Sequence, residues 1–514
     1  MNSAQIRLKH HAIIGQTLLR AVGIVLVGLA VGPLLHAQTI WTAGSGNWAT
    51  GSNWSAGVPD SSTNASITNG GTATISSSSE VASLTLGGAS TGGLSITGGG
   101  LATAGTTIVG ANGATGTGTA SISASTWSTA GDFFVGYFGN GSLTVSGGNV
   151  TVANNSYVGY SGTSTATVSG GNWTTNGTLY VGTDSGGGSG RNGTLTISSG
   201  TVSAAVTQLA TDGTAVGTLN LNGGVLATGI VIEHTGSNGG TVNFNGGTLR
   251  VTQNQTSLFT DFETGDIQIA AGGATIDTQA FDVGVSTVMQ GVGGLTKTGS
   301  GILTLTGAQA YTGTTAVSAG TLLVNGSIAS GSSVVVSGGT LGGTGTINSA
   351  TTIQSGGTLA PGASPGVLTF SNGLTLASGS ATNFEINGDT RGTTYDGINL
   401  SAGLLTYGGT LNLSFGQTFV NGTTLDLFQL SGSGSSGSFS SIAATGSYTG
   451  ALSNSGGTWT YYNGSQYVIF TQSTGDLTFS AIPEPSAYAA IVGLGSLGFV
   501  MWRRRRAAAV AATS

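Results

Sequence analysis

From residue 60 to about 375, short apolar clusters alternate with polar positions at period two, as in Leu143/Val145, Val150/Val152 and then Val158. Such alternation turns one face of a strand into a core and the other into water. The clusters end at Gly-Gly or Asn-Gly, residues that accept the positive φ of tight corners. The pattern also recurs. Leu143-Thr-Val-Ser-Gly-Gly148 returns at Ala166, Leu195, Leu219 and Val242, with steps of 23, 29, 24 and 23 residues. The long step contains an inserted glycine-rich stretch, 186–190. A second landmark, Val-Gly, falls at Val109, Val135, Val158 and Val181. Helical periodicity is absent from this body.

Strands this short cannot bury a face alone, but stacked coils can. The expected fold is all-β: a β-solenoid, specifically a right-handed parallel β-helix. At 23 residues per coil and a rung spacing of roughly 4.8 Å, residues 60–375 make about fourteen coils. Leu143, Val145, Val168, Leu195, Ile197, Leu219, Leu221 and Phe244 should face inward. A β-propeller is the alternative, but its blades need roughly 40–50 residues.

The flanks differ. Arg7, Lys9 and Arg20 precede an apolar stretch, 21–35, and Leu35-His36-Ala37 makes a signal-peptide cleavage site before Gln38. The organisation expected is a signal helix over 1–37, a Trp-containing cap over 38–60 and solenoid repeats over 61–379. A β-rich cap over 380–480, where Phe and Tyr increase, and a tail over 481–507 follow. Trp48 and Trp54 could stack on sugars, but a hydrophobic end cap is the favoured reading. In the tail, Pro483-Glu484-Pro485 leads into an apolar run, 487–502, closed by Arg503, Arg504, Arg505 and Arg506. The run is short for a membrane helix; Trp502 and snorkelling arginines extend it, and the arginines predict a cytoplasmic C-terminus.

Charge narrows the function. Of eleven Lys and Arg, three precede the signal helix and four end the tail; sixteen of seventeen acids lie between, so the body carries about −12. That argues against nucleic acid, which needs a basic patch to replace counterions. Without cysteine, neither disulfides nor thiolate metal sites form.

Chemistry is sparse. Glu233-His234 reads as a solvated loop, and Lys297 and Arg391 have no acidic dyad nearby in sequence. Asp261, Glu263, Asp266, Asp277 and Asp282 form one acidic cluster, suited to calcium or to glycosidic acid/base work. It lacks both a calcium nonapeptide and the paired aspartates of pectin-cleaving β-helices, so a solvated excursion is the expectation. No catalytic residue, metal or cofactor is expected.

Two resemblances add to this. The Pro483-Glu484-Pro485 knuckle, apolar run and arginine block resemble the PEP-CTERM domain. That resemblance implies an exosortase-type membrane protease as partner, cleavage near the knuckle and transient anchoring in the inner membrane. It also implies a final place on the surface or in the matrix of a Gram-negative bacterium. Residues 293–326, with Leu295-Thr-Lys297-x-Gly-x-Gly, Tyr311-Thr-Gly and Gly320-Thr-Leu-x-Val-Asn-Gly, resemble the autotransporter-associated β-strand repeat. The turn from Pro361 to Gly366 and the Tyr395-Asp396-Gly-Ile segment often accompany that repeat, and Lys297 is one of its positions. Amphipathic barrel strands are missing, so self-transport is not expected. Together these readings describe a non-enzymatic, exported, adhesin-like structural protein, with extracellular polysaccharide as a possible partner class; the alternative is a carbohydrate-active β-helix enzyme.

Overall fold

The computed structural model describes residues 36–112, 116–183, 191–211, 213–234, 239–432, 434–481 and 500–503. It divides into compact units between Ala37 and Gln38; the second is described below. The signal segment, Pro483, Glu484, Pro485, most of the apolar run and Arg504, Arg505 and Arg506 lie outside the described residues.

The body is a parallel β-solenoid, each regular coil supplying three short strands. Asn140–Val145, Asn149–Val152 and Ser156–Val158 form one coil, and Ser164–Val168 begins the next. On the first face Leu143 stands opposite Ala166, then Leu195, Leu219 and Val242; Val145 heads the parallel column Val168, Ile197, Leu221, Phe244. All eight residues expected inside are buried. This face carries fourteen strands between residues 60 and 375, matching the spacing argument.

Coil length is less uniform than the early repeat suggests. Leu295 stands opposite Thr315, Thr315 opposite Val334 and Val334 opposite Thr351, so coils shorten to 20, 19 and 17 residues. Elsewhere two faces run together in single strands, Asn172–Val181 and Thr201–Leu209, with a register shift between Thr175 and Thr178.

The Val-Gly landmark is a corner. Gly110, Gly136, Gly159 and Gly182 have φ of 88°, 82°, 75° and 68°, and in the next coil Ala210 takes the place with φ 47°. A Cβ on Gly159 would meet the Asn192 carbonyl oxygen at 2.6 Å. Glycine is needed there for its backbone and for the closeness of the next coil.

Trp41, Trp48 and Trp54 are all buried at the first coil. Trp54 meets Trp41 and Trp48 edge-on at centroid distances of 5.0 and 4.7 Å, and its Nε1 donates to the Trp48 carbonyl at 2.8 Å. These rings are a hydrophobic plug, as favoured, with no face left for a sugar.

At the other end the parallel stack runs past residue 379. Ala381–Ile386 pairs with Thr410–Phe415, which pairs with Ser441–Gly446, all parallel. Apart from isolated bridges, antiparallel pairing begins with Gly450–Ser455 and continues through Thr458–Tyr462, Gln466–Thr471 and Asp476–Ala481 to Thr424–Asp426. The longer strands near residue 410 are thus wider coils. The meander after them covers the last coil, whose open edge would otherwise recruit other strands.

Candidate binding surface

The titratable residues are dispersed and mostly occupied by the fold. Glu233 does not sit in a solvated loop. It stands beside Leu209 in the inward register, fully buried, and accepts the Gly240 amide at 2.9 Å, while His234 is exposed. Asp266 accepts the Glu263 amide at 2.6 Å, Asp282 the Ile302 amide at 3.3 Å, and Asp277 pairs with Arg250 at 3.1 Å. Among the described residues no group of three His, Cys, Asp or Glu side chains is placed to hold a metal ion.

Lys297 is buried in the inward column between Ile276 and Val317. Its Nζ donates to the carbonyls of Thr298 and Gly299, each at 2.8 Å, and to that of Ala319 in the next coil at 3.2 Å. Burial pushes its amine down to about 8, against the opposing pull of Asp277. Tyr311, also buried, shares a hydrogen bond with Thr315 at 2.8 Å, and burial pushes its phenol up. Both marked positions of the repeat therefore hold corners together. Arg391 does similar work further on, donating to the Asp426 and Ile398 carbonyls and to Asn399 at 2.7, 2.9 and 2.7 Å.

The Pro361–Gly366 turn and Asp396 meet in space. Asp396 is buried; its carboxylate accepts the Gly366 amide at 2.8 Å and the Glu385 amide at 2.7 Å. Burial pushes its carboxyl up to about 6, outweighing the two amide donors. Ser364, at φ 97°, donates to Glu385 at 2.6 Å. This is a turn braced across coils.

One surface remains that alternation alone does not explain. Phe134, Tyr157 and Tyr180 occupy outward positions in register on the third face, between inward residues. Phe134 stacks on Tyr157 at 4.5 Å and 6°, and Tyr157 on Tyr180 at 4.9 Å and 7°. Around the corner Tyr137 stacks on Tyr160 at 5.1 Å and 18°. The two stacks cross steeply, with Tyr157 and Tyr160 at 87°, Phe134 and Tyr160 at 84° and Phe134 and Tyr137 at 67°. Phe138 lies beside them, 50% exposed, while Phe134 is covered by its neighbours. Burial, then Asp132 and Tyr180, push the Tyr157 phenol up to about 12, so it stays neutral. The signal was in the sequence: an aromatic residue before Val-Gly and Tyr after it, repeating at the coil period in Phe134/Tyr137 and Tyr157/Tyr160, with Tyr180 following in the first position. Alternation does not reveal it, because these residues stand at the outward positions, where the pattern asks only for a residue that tolerates water. Across the first two of these coils and the two before them, Glu80, Ala102, Ser128 and Thr151 line an open trough of about 450 Å³ on the second face.

Among the described residues no helix is long and apolar enough to cross a membrane, and the described part of the tail, 500–503, is helical. No curated protein matches the chain. Two segments do match known families: residues 295–324 match the Passenger-associated-transport-repeat, and residues 481–506 match the PEP-CTERM protein-sorting motif. The second match implies export, sorting to the cell surface and processing by an exosortase. The chain is a β-solenoid that carries a passenger-associated repeat and a PEP-CTERM sorting motif.

Proposed function

We propose that the protein is a non-enzymatic structural or adhesin-like component of a bacterial cell surface or extracellular matrix. Its tail holds it briefly in the inner membrane until an exosortase acts near Pro483, Glu484 and Pro485, with the signal removed between Ala37 and Gln38. The observation that carries this reading is the combination of a sorting motif with a solenoid that spends Lys297, Arg391 and Asp396 on its own corners. The coils are read as right-handed because parallel strand crossovers overwhelmingly adopt that hand.

The test is fractionation of the producing cells, with mass spectrometry of the protein's termini in each fraction. A surface or matrix pool that begins near Gln38 and ends before Arg503 is expected. A pool confined to the inner membrane with both ends intact would overturn the export reading. Cleavage of any polysaccharide by the purified protein would instead promote the enzyme class.

A further inference from the structure

We infer that the aromatic surface formed by Phe134, Tyr137, Phe138, Tyr157, Tyr160 and Tyr180 binds a neutral polysaccharide. This deepens the surface-scaffold reading, and rests on it, by naming the ligand class and the residues that take it.

The rings form one patch in which Phe134 is covered, the four tyrosines are half-buried and Phe138 is half-exposed. Rings in each stack repeat at 4.5–5.1 Å, close to the rung spacing, whereas aromatic faces in contact lie nearer. Each stack must therefore slip sideways. Because the two stacks cross at 67–87°, they cannot both lie flat across the rod axis. Rings inclined by roughly 45° satisfy both conditions and present strips of face obliquely, as in a herringbone. The axial C–H groups of a pyranose ring pack on such faces, while its hydroxyls reach polar groups at the margin. Tyr137, Tyr157, Tyr160 and Tyr180 are half-buried and add phenol groups to the patch. Asp132 lies close enough to Tyr157 to act on its ionisation, and Asn155 hydrogen-bonds it.

Charge selects the class of polymer. The body is acidic overall, which disfavours uronate, sulfate and phosphate polymers. Its four basic side chains are engaged elsewhere: Arg191 with Thr214, Arg250 with Asp277, Lys297 with three carbonyls, and Arg391 with the Asp426 coil. Nucleic acid would also stack on aromatic rings, but it needs cations beside them. A neutral glycan needs none.

The full chain, purified in mild detergent, is run in native gels containing dextran, a soluble β-glucan, galactomannan, alginate or polygalacturonate. At least one neutral polymer should retard it, with alginate and polygalacturonate weaker. Phe138→Ala with Tyr160→Ala should weaken that retardation at least tenfold while the melting temperature holds. Should the double variant unfold early, Phe138→Ala alone, at a half-exposed site, should still weaken binding threefold or more. Three results would overturn the assignment: no retardation by neutral polymers, equal retardation of the variants, or preference for the anionic ones. Variant-sensitive self-association in sedimentation velocity without glycan binding would also overturn it, making the surface a contact between copies. Failure here leaves export and processing standing, because those are read from the termini in cells.

Discussion

Replacing Lys297 with Met tests whether the marked lysine of the repeat is a structural pin. Met keeps the length and apolar stem of the side chain and removes only its donor. The Thr298 carbonyl keeps the Thr278 amide at 3.2 Å, but those of Gly299 and Ala319 lose the hydrogen bonds made by Nζ. A fully buried carbonyl left unpaired costs about 1–3 kcal/mol, so these two part-buried ones together cost at most about 2–6 kcal/mol. Relief from burying a cation offsets part of this, leaving a net loss of about 2–3 kcal/mol. Contacts in a solenoid are made with neighbouring coils, so the damage should be local. Hydrogen exchange followed by mass spectrometry should show faster exchange in peptides spanning 274–281 and 293–324, with distant coils unchanged. A pH arm separates the charge from the hydrogen bonds. The folded amine titrates near 8 against an ordinary 10.5. Between those values the unfolded chain holds a proton that the folded chain lacks, so stability should rise with pH, by at most about 3 kcal/mol. The part-buried setting of its carbonyl partners reduces that to about 1–2 kcal/mol. The Met variant should lack this rise. A variant as stable as the parent at pH 7, or a parent whose stability falls from pH 8 to 10 in parallel with the variant, would refute the pin.

The corner at Ala210 predicts a gain: Ala210→Gly should stabilise by about 0.5–1 kcal/mol, since φ 47° strains a residue bearing Cβ. Gly159→Ala should lose about 2 kcal/mol or more by chemical denaturation, because its Cβ would meet the Asn192 carbonyl oxygen. Leu219→Asp should leave the chain largely insoluble, for it sets a carboxylate in a fully buried column at a cost of about 4 kcal/mol or more; yield and circular dichroism report it. Asp396, titrating near 6 when folded and near 3.8 otherwise, makes the folded chain hold the extra proton, so stability should fall as pH rises from about 4 to 6. Asp396→Asn should flatten that slope in melting curves. In the exported pool, intact mass should exclude Arg503 to Arg506, whereas retention of those arginines on most molecules would count against processing.

Much of the fold was legible because a solenoid is written locally. Leu143, Leu219 and Phe244 could be placed inside from alternation and recurrence alone, since stacking in register repeats one environment every coil. The end of the stack was harder. Residues 381–446 keep alternation but abandon the 23-residue step, and wider coils and antiparallel hairpins share the same period of two. Glu233 was misplaced for a related reason: a carboxylate beside a glycine-rich turn suggests solvent, and only its register with Leu209 turns it inward onto the Gly240 amide.

By itself, then, the order of residues determined the alternation, the early coil period, the glycine corners and the C-terminal sorting motif, because each is written in residues close together in the chain. Tertiary structure alone decided which groups meet across coils. It brought Asp396 to the Pro361–Gly366 turn and Lys297 to the Ala319 carbonyl, and it set Tyr157 between Phe134 and Tyr180. The reason is geometric. Residues about 20 to 30 positions apart become neighbours at a spacing near 5 Å only when the coil lengths between them are settled, and those lengths vary with every corner.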